Sequence, residues 1–406
     1  MSNSRKVFFF VRNIPVLSQT FVINQVKDLK KRGMDVHILA VNPIVDDASI
    51  LHSIFGNEVD SKVTSILPKP HSTKSWFFML LGVFFCASSK PRWKLLGFAS
   101  RLIKNKKFFL AKDFLCLAWF LKNKNIVMES CIAHFGNNGV IIDYFRKAKL
   151  VDCENLFTIF HGYEISCYEE LATWRDEYGK LGGTLLPISN HWKDALISFG
   201  AKRSCIRVVH MGVDVNTFSF RDNELSSPLQ ILSVARATEK KGLRYAIEAV
   251  LNVDLDCSLT LIGDGDLLES LKKLVNEHDK KHRVKFLGAC PPARVAQELK
   301  NTDLFLLPSV QDSSGDKEGI PVSLMEAMAS GVIVLSTFHS GIPELIDDGE
   351  TGFLVSERDS LAIEQKIIDL ATHQSLSIIR KKAREKIETE FNADKLSQQL
   401  LSLLTK

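Results

Sequence analysis

Short, continuously apolar runs alternate with amphipathic ones through the second half of the chain. LQILSVA (229–235), CSLTLIG (257–263), RVKFLG (283–288), TDLFLLP (302–308), GVIVLST (331–337) and GFLV (352–355) read as buried strands. Helical periodicity fills the gaps near 242–252, 265–277, 291–300, 321–330 and 359–371. A strand that is apolar on both faces needs cover on both, so the alternation predicts a parallel sheet between helical layers. The first half opens the same way, with VFFFVR (7–12), a helix from about Gln19 to Lys31 and DVHILAV (35–41). It continues with SCIAHFG (130–136), NLFTIFHG (155–162), TLLPIS (184–189) and CIRVVHMG (205–212). The fold class expected is α/β, two Rossmann-like domains facing each other across a cleft. The polar, Ser-rich stretch that ends at Pro228 puts the boundary near 210–227. A helical tail follows from about residue 375.

One segment breaks the rhythm. From about 72 to 125 the pattern reads as two or three helices rich in basic and aromatic residues. Between Ser88 and Asn125 there are ten Lys or Arg and one acid, Asp113, so this stretch carries +9 and the rest of the chain −4, for a net +5. Trp93, Phe98, Phe108, Phe109, Phe114, Trp119 and Phe120 are interleaved with those cations. That mixture suits an anionic membrane surface. The competing reading is an insert whose aromatics form core and whose lysines are solvated. Nucleic acid is not expected, because no motif for it accompanies the patch. The run WFFMLLGVFFCA (76–87) has about half the apolar length of a membrane span. The basic N-terminus has too short an apolar run for a signal peptide. Eight scattered cysteines form no C-x-x-C pair, which argues against zinc and redox motifs and for a reducing compartment. The expected location is the cytoplasm, peripheral on the inner face of the cell membrane.

The chemistry concentrates in KEGIPVSLMEAMASG (317–331). Pro321 suits the first turn of a helix and Gly331 the position past its end. Glu318 then lies in the loop before the helix and Glu326 inside it. A helix N-terminus offers free N–H groups and partial positive charge, a site for phosphate. Carboxylates beside it suit a ligand with hydroxyls next to its phosphates, such as a nucleotide sugar. Arg236 and Lys241, in SVARATEKKG, follow the first strand of the same domain and reach the same sheet edge. They are placed to grip a diphosphate and stabilise its charge as it leaves. The loop LIGDGDLLESL is not G-x-G-x-x-G, since Leu268 stands at the third position. Gly263 and Gly265 there either let backbone approach a base or phosphate or form a plain turn. His134 and His161 each end a first-domain strand and are expected to face the cleft; His210 and His339 are further candidates of that kind. Ser18, Gln19 and Thr20 precede the first helix, as its cap or as acceptor contacts.

Together, Arg236 with Lys241-Gly242, Glu318-x7-Glu326 and STFHSGIPELIDDGETGFLV resemble the retaining glycosyltransferases of family 4, with the GT-B fold. SQTFVINQ, IAHFG, FHGYE and GDKEGIPVSLMEAMASG look like the branch that builds colanic acid and related exopolysaccharides. The resemblance implies an N-terminal acceptor domain over 1–212, a donor domain over 213–385 and a tail over 386–406 that crosses back. It implies retaining, metal-independent transfer of a hexose from a nucleotide sugar to a lipid-linked oligosaccharide. UDP is the default nucleotide and GDP the alternative, and no cofactor is required. By the same resemblance Arg236 and Lys241 would hold the diphosphate, Glu318 the sugar hydroxyls and the charge at the anomeric carbon, and Glu326 the ribose. Gly263 would border the donor, the backbone of Gly319, Ile320 and Pro321 would meet sugar and phosphates, and His161 would lie over the reacting centre. His134 would stand on the acceptor side. Two departures are visible: RNIPVLSQTF replaces the usual Gly-Gly loop, and Met211 replaces an Asn before Gly212. The alternatives are a sugar-nucleotide epimerase of the same fold or an inactive nucleotide-sugar-binding homologue.

Overall fold

The computed structural model describes residues 5–15, 20–42, 49–67, 116, 119–120, 123, 126–373 and 375–405. The insert expected over 72–125 therefore lies almost wholly outside the described residues, as do Ser18, Gln19 and the Thr20 side chain.

The first domain runs β1 (Lys6–Val11), α1 (Thr20–Lys31), β2 (Asp35–Ala40), α2 (Ser49–Phe55), α3 (Val59–Lys62), β3 (Val63–Ser65) and β4 (Val127–His134). It continues with α4 (Gly136–Lys147), β5 (Asp152–Phe160), α5 (Tyr163–Ser166), α6 (Tyr168–Tyr178), β6 (Thr184–Pro187) and α7 (Asn190–Ser198). The second runs β7 (Leu229–Val234), α8 (Leu243–Asn252), β8 (Cys257–Ile262), α9 (Leu268–Asn276), β9 (Val284–Gly288), α10 (Pro292–Leu299) and β10 (Leu304–Leu306). Then come α11 (Val322–Ala329), β11 (Ile333–Thr337), α12 (Ile342–Leu345), β12 (Phe353–Val355), α13 (Ser360–Ala371), α14 (Leu376–Glu390) and α15 (Ala393–Leu404).

Each domain holds one six-stranded sheet, ordered β3-β2-β1-β4-β5-β6 and β12-β11-β10-β7-β8-β9. All the strand pairs are parallel. The order reverses between β1 and β4 and again between β7 and β10. Crevices at the C-terminal strand ends of such reversals are where open α/β sheets bind ligands. Apolar runs became strands because both faces are covered: β10 and β11 are buried at every position.

The run 205–212 is not a strand of the sheet. It makes one bridge, Leu185 with Ile206, and donates to β6 through Arg207 (2.9 Å) and Val209 (3.1 Å). It is extended because the chain is leaving the first domain. The crossing is a pair of hydrogen bonds: Val213 N–H to Phe391 O (2.9 Å) and Ala393 N–H to Val213 O (3.0 Å). Val213 and Val215 already belong to the second core. The returning crossing falls later than residue 386, since α14 runs unbroken to Glu390. Beyond it, α15 puts Leu400 and Leu404 into the first-domain core, and Arg5 donates to Leu404 O at 3.2 Å. Among the described residues no helix is long and apolar enough to cross a membrane.

Candidate active site

The turn after β7 carries the cations. Arg236 is exposed and makes no ion pair among the described residues. Lys240 and Lys241 lie in a 3-10 turn closed by Gly242 at φ +61°. A Cβ on Gly242 would come within 1.8 Å of Pro308 O, so only glycine lets this turn lie against the end of β10. That contact sets the two lysines beside the loop 311–318. Lys241 pairs with Glu318, and Lys240 Nζ lies 2.8 Å from Asp316 Oδ2.

Glu318 precedes α11, as its sequence context implies. Pro321 is the N-cap residue rather than the first helical residue, and Gly331 past the C-terminus has φ +78°. No side chain caps the N-terminus of α11. Burial alone would raise the Glu318 pKa, but Lys241 and Lys240 overcome it and hold the carboxyl at about 2. Glu326 has the opposite setting. Its carboxyl meets no partner among the described residues, and burial pushes it up to about 7. The Ile320 side chain is buried in the second core, which leaves its backbone for any ligand. Gly319 meets the first domain: a Cβ there would lie 2.8 Å from Ile188 Cδ1 and 3.1 Å from His161 O.

His161 follows β5 on the opposite side of this contact. Its ring packs on Phe21 (4.4 Å) and Phe135 (4.8 Å) and stacks on His134 (5.3 Å). His134 Nδ1 and His161 Nε2 are 3.0 Å apart. Burial, and secondarily His134, pushes His161 well below the usual imidazole range, so the ring is neutral. His134, expected on the acceptor side, is 1% exposed at the end of the interior strand β4, stacked on Phe9 and His161. His210 is likewise taken up structurally, with Nδ1 3.0 Å from Ile188 O and its ring on Phe391.

Gly263 and Gly265 settle into loop packing. At φ +139°, a Cβ on Gly263 would lie 1.9 Å from Ala235 O; one on Gly265 would lie 2.7 Å from Ala237 O. The close approach is therefore to the neighbouring turn that bears Arg236.

A sequence profile described as Glycosyl transferases group 1 matches residues 215–389. The amylovoran biosynthesis glycosyltransferase AmsK of Erwinia amylovora is 36% identical over 428 residues, covering 98% of this chain and 99% of that one. The chain belongs to the group 1 glycosyl transferases. A putative colanic acid biosynthesis glycosyltransferase, WcaL of Salmonella typhimurium, is 34% identical with the same coverage of 98% and 99%. The crystal structure of Anabaena Alr3699/HepE in complex with UDP superposes with a TM-score of 0.69 at 16% identity, over 99% of both chains. The fold of this glycosyl transferase is GT-B.

Sequence reasoning passed over several residues of this glycosyl transferase. Asp316 bridges Lys240 and, at 3.2 Å, the Ser166 hydroxyl of the first domain; Ser166 Oγ in turn accepts the Lys317 N–H at 3.0 Å. The Lys240-Lys241 doublet and the acid two residues before Glu318 were the available signals. Glu164, 1% exposed, accepts the N–H groups of His161 (2.8 Å) and Gly162 (3.2 Å) and so fixes the turn after β5. Burial raises its pKa to about 7 against those hydrogen bonds.

Proposed function

We propose that the protein is a retaining hexosyltransferase of family 4. It takes a hexose from a nucleotide sugar and passes it to a lipid-linked saccharide during exopolysaccharide synthesis. The observation that carries this reading is the Lys241–Glu318 pair beside the uncapped end of α11, with exposed Arg236 on the turn that bears Lys241 and Glu326 inside the helix, without a partner among the described residues. Among the described residues Arg236 makes no ion pair while Lys241 is paired, which suits a site for a diphosphate. Glu326 is a half-buried acceptor that the two hydroxyls of a ribose would satisfy. The HepE neighbour solved with UDP supports UDP as the default nucleotide. The names of the AmsK and WcaL relatives support the pathway.

The chemistry proposed is front-face substitution. The bond from the anomeric carbon to the diphosphate oxygen breaks, and the acceptor hydroxyl oxygen bonds to the same face. Its proton passes to the leaving phosphate oxygen. Arg236, Lys241 and the N-terminal N–H groups of α11 stabilise the charge that develops on the diphosphate, with no metal required. Glu318 stays ionised through the reaction and faces the positive charge at the anomeric carbon. His161, neutral, contacts the sugar, while the touching domains exclude water.

Thermal shift with nucleoside diphosphates, with and without EDTA, tests donor binding; the expected result is stabilisation by UDP unaffected by EDTA. Turnover of a donor panel with a lipid-diphosphate-linked oligosaccharide, read by mass spectrometry, then identifies sugar and acceptor. If no nucleoside diphosphate stabilises the protein, the transferase reading fails. Peripheral membrane binding is proposed from the charge of residues 88–125 alone. Removing the charges of Lys104, Lys106 and Lys107 should weaken sedimentation with anionic vesicles.

A further inference from the structure

The loop that carries Glu318 is held at both ends by one pair of side chains. His339 follows β11 and is 1% exposed. Its Nε2 accepts the backbone N–H of Glu318 at 3.0 Å. Its Nδ1 lies 2.6 Å from Glu357 Oε1, and the other oxygen of that carboxylate accepts the Gln311 N–H at 2.9 Å. Gln311 and Glu318 bound the segment that also holds Asp316, so one imidazole–carboxylate pair closes the whole loop.

Because Nε2 is committed as an acceptor, the ring proton belongs on Nδ1 and is donated to Glu357. Burial pushes the imidazole down from its ordinary range against the pull of Glu357, so the neutral ring is the resting form. Burial acts to raise Glu357, but the Gln311 N–H and His339 outweigh it and keep the carboxyl low. The charged and titratable groups around the ring are Glu357 after β12, Glu318 and Lys317 on the loop, and His191 at the start of α7.

We propose that His339, as the Nδ1–H tautomer donating to Glu357, is a positioning residue that fixes the Glu318 backbone and so aims its carboxylate at the donor sugar. The consequence for turnover rests on the role assigned above to Glu318; the anchoring itself does not. A protonated ring carries N–H on both nitrogens and opposes the Glu318 N–H, so acidification removes the anchor.

Two substitutions at His339 test this. In His339→Gln the amide oxygen accepts the Glu318 N–H and the amide N–H reaches Glu357, with nothing left to titrate. His339→Leu fills the space and does neither. Amide hydrogen exchange, read by NMR on the full chain, should show the Glu318 N–H exchanging about tenfold faster in the Leu variant, as expected for one lost hydrogen bond. The Gln variant should stay near wild type. With the donor chosen by the panel, kcat should fall about tenfold to a hundredfold in the Leu variant, as for a misplaced reacting group, while the Kd for UDP changes little. Gln should restore most of kcat and flatten the part of the acid limb that belongs to His339. Wild-type exchange in the Leu variant, or a Gln variant as impaired as Leu, overturns the proposal. Glu318→Gln separates the two claims: wild-type transfer in that variant would refute the role of Glu318, while the exchange measurement still decides the anchor.

Discussion

Lys241 and Lys240 hold Glu318 ionised beside the uncapped end of α11, which makes that carboxyl unsuited to proton transfer. Glu318→Ala leaves Lys241 without its carboxylate partner. Lys241→Ala leaves a buried carboxylate short of its partner. Both should lower transfer by about a hundredfold or more while circular dichroism stays native. Wild-type rates in either variant would refute the roles. Glu326 gives a pH signature. Its folded value of about 7 is raised from 4.5 by burial, so the folded state holds a proton that the unfolded state has lost between these values. Stability from this group is present at acid pH and is lost as pH rises from 4.5 through 7. Ribose hydroxyls favour the ionised form, so UDP binding expels that proton below pH 7, and affinity gains up to about tenfold per pH unit until it levels off. UDP titrates as well, so calorimetry should compare wild type with Glu326→Gln. The excess slope should vanish in the variant; equal slopes would mean that Glu326 does not meet the ligand.

At the level of elements, two glycine turns bring the strand ends together. Gly242 lets the lysine turn rest on β10, and Gly263 lets the turn after β8 rest on the turn that carries Arg236. The sequence left Gly263 open between a plain turn and a close approach, because the partner, Ala235 O, comes from another strand. Gly263→Ala should cost about 1–3 kcal/mol, since it adds both a clash and a strained φ. It should also weaken UDP binding through Arg236; an unchanged melting temperature and Kd would show the turns to be independent. By contrast, the ends of α11 were legible, because Pro321 and Gly331 are local signals. The boundary moved by one residue only, Pro321 serving as the cap. The three-residue β3 was missed, as VTS is too short to show a pattern. The run 205–212 looked like a strand, since apolar chain crossing between domains has the same composition as chain inside a sheet.

Across the whole molecule, the two domains meet through groups that each would otherwise leave unsatisfied. The Glu344 carboxylate, in the second domain, accepts the backbone N–H groups of Asn190 (2.8 Å) and His191 (2.9 Å), and so caps α7 of the first. Nearby, the Gly315 backbone lies against the Tyr168 ring, and Tyr168 N–H donates to Ser314 O at 2.9 Å. Glu344→Ala removes a charged cap, a loss of about 1 kcal/mol. Because that cap spans the cleft, the loss should appear as opening: a larger radius of gyration in small-angle scattering, a higher ratio of donor hydrolysis to transfer, and an unchanged Kd for UDP. Identical scattering curves would confine Glu344 to a local role.

By itself the sequence determined the rhythm of strands and helices, the placing of Arg236, Lys241 and Glu318 after strands at one edge of a parallel sheet, and the family. These depend on near neighbours in the chain and on spacings that a periodic backbone converts directly into faces and edges. Tertiary structure alone decided which polar groups end up buried against one another. It put His134 behind His161, tied Asp316 to Lys240 and to Ser166 of the other domain, and hung Glu318 on His339 and Glu357. Most of these partners lie tens of residues apart or more, and burial rather than spacing dictates that such groups find one another, because a polar atom taken out of water must be paired.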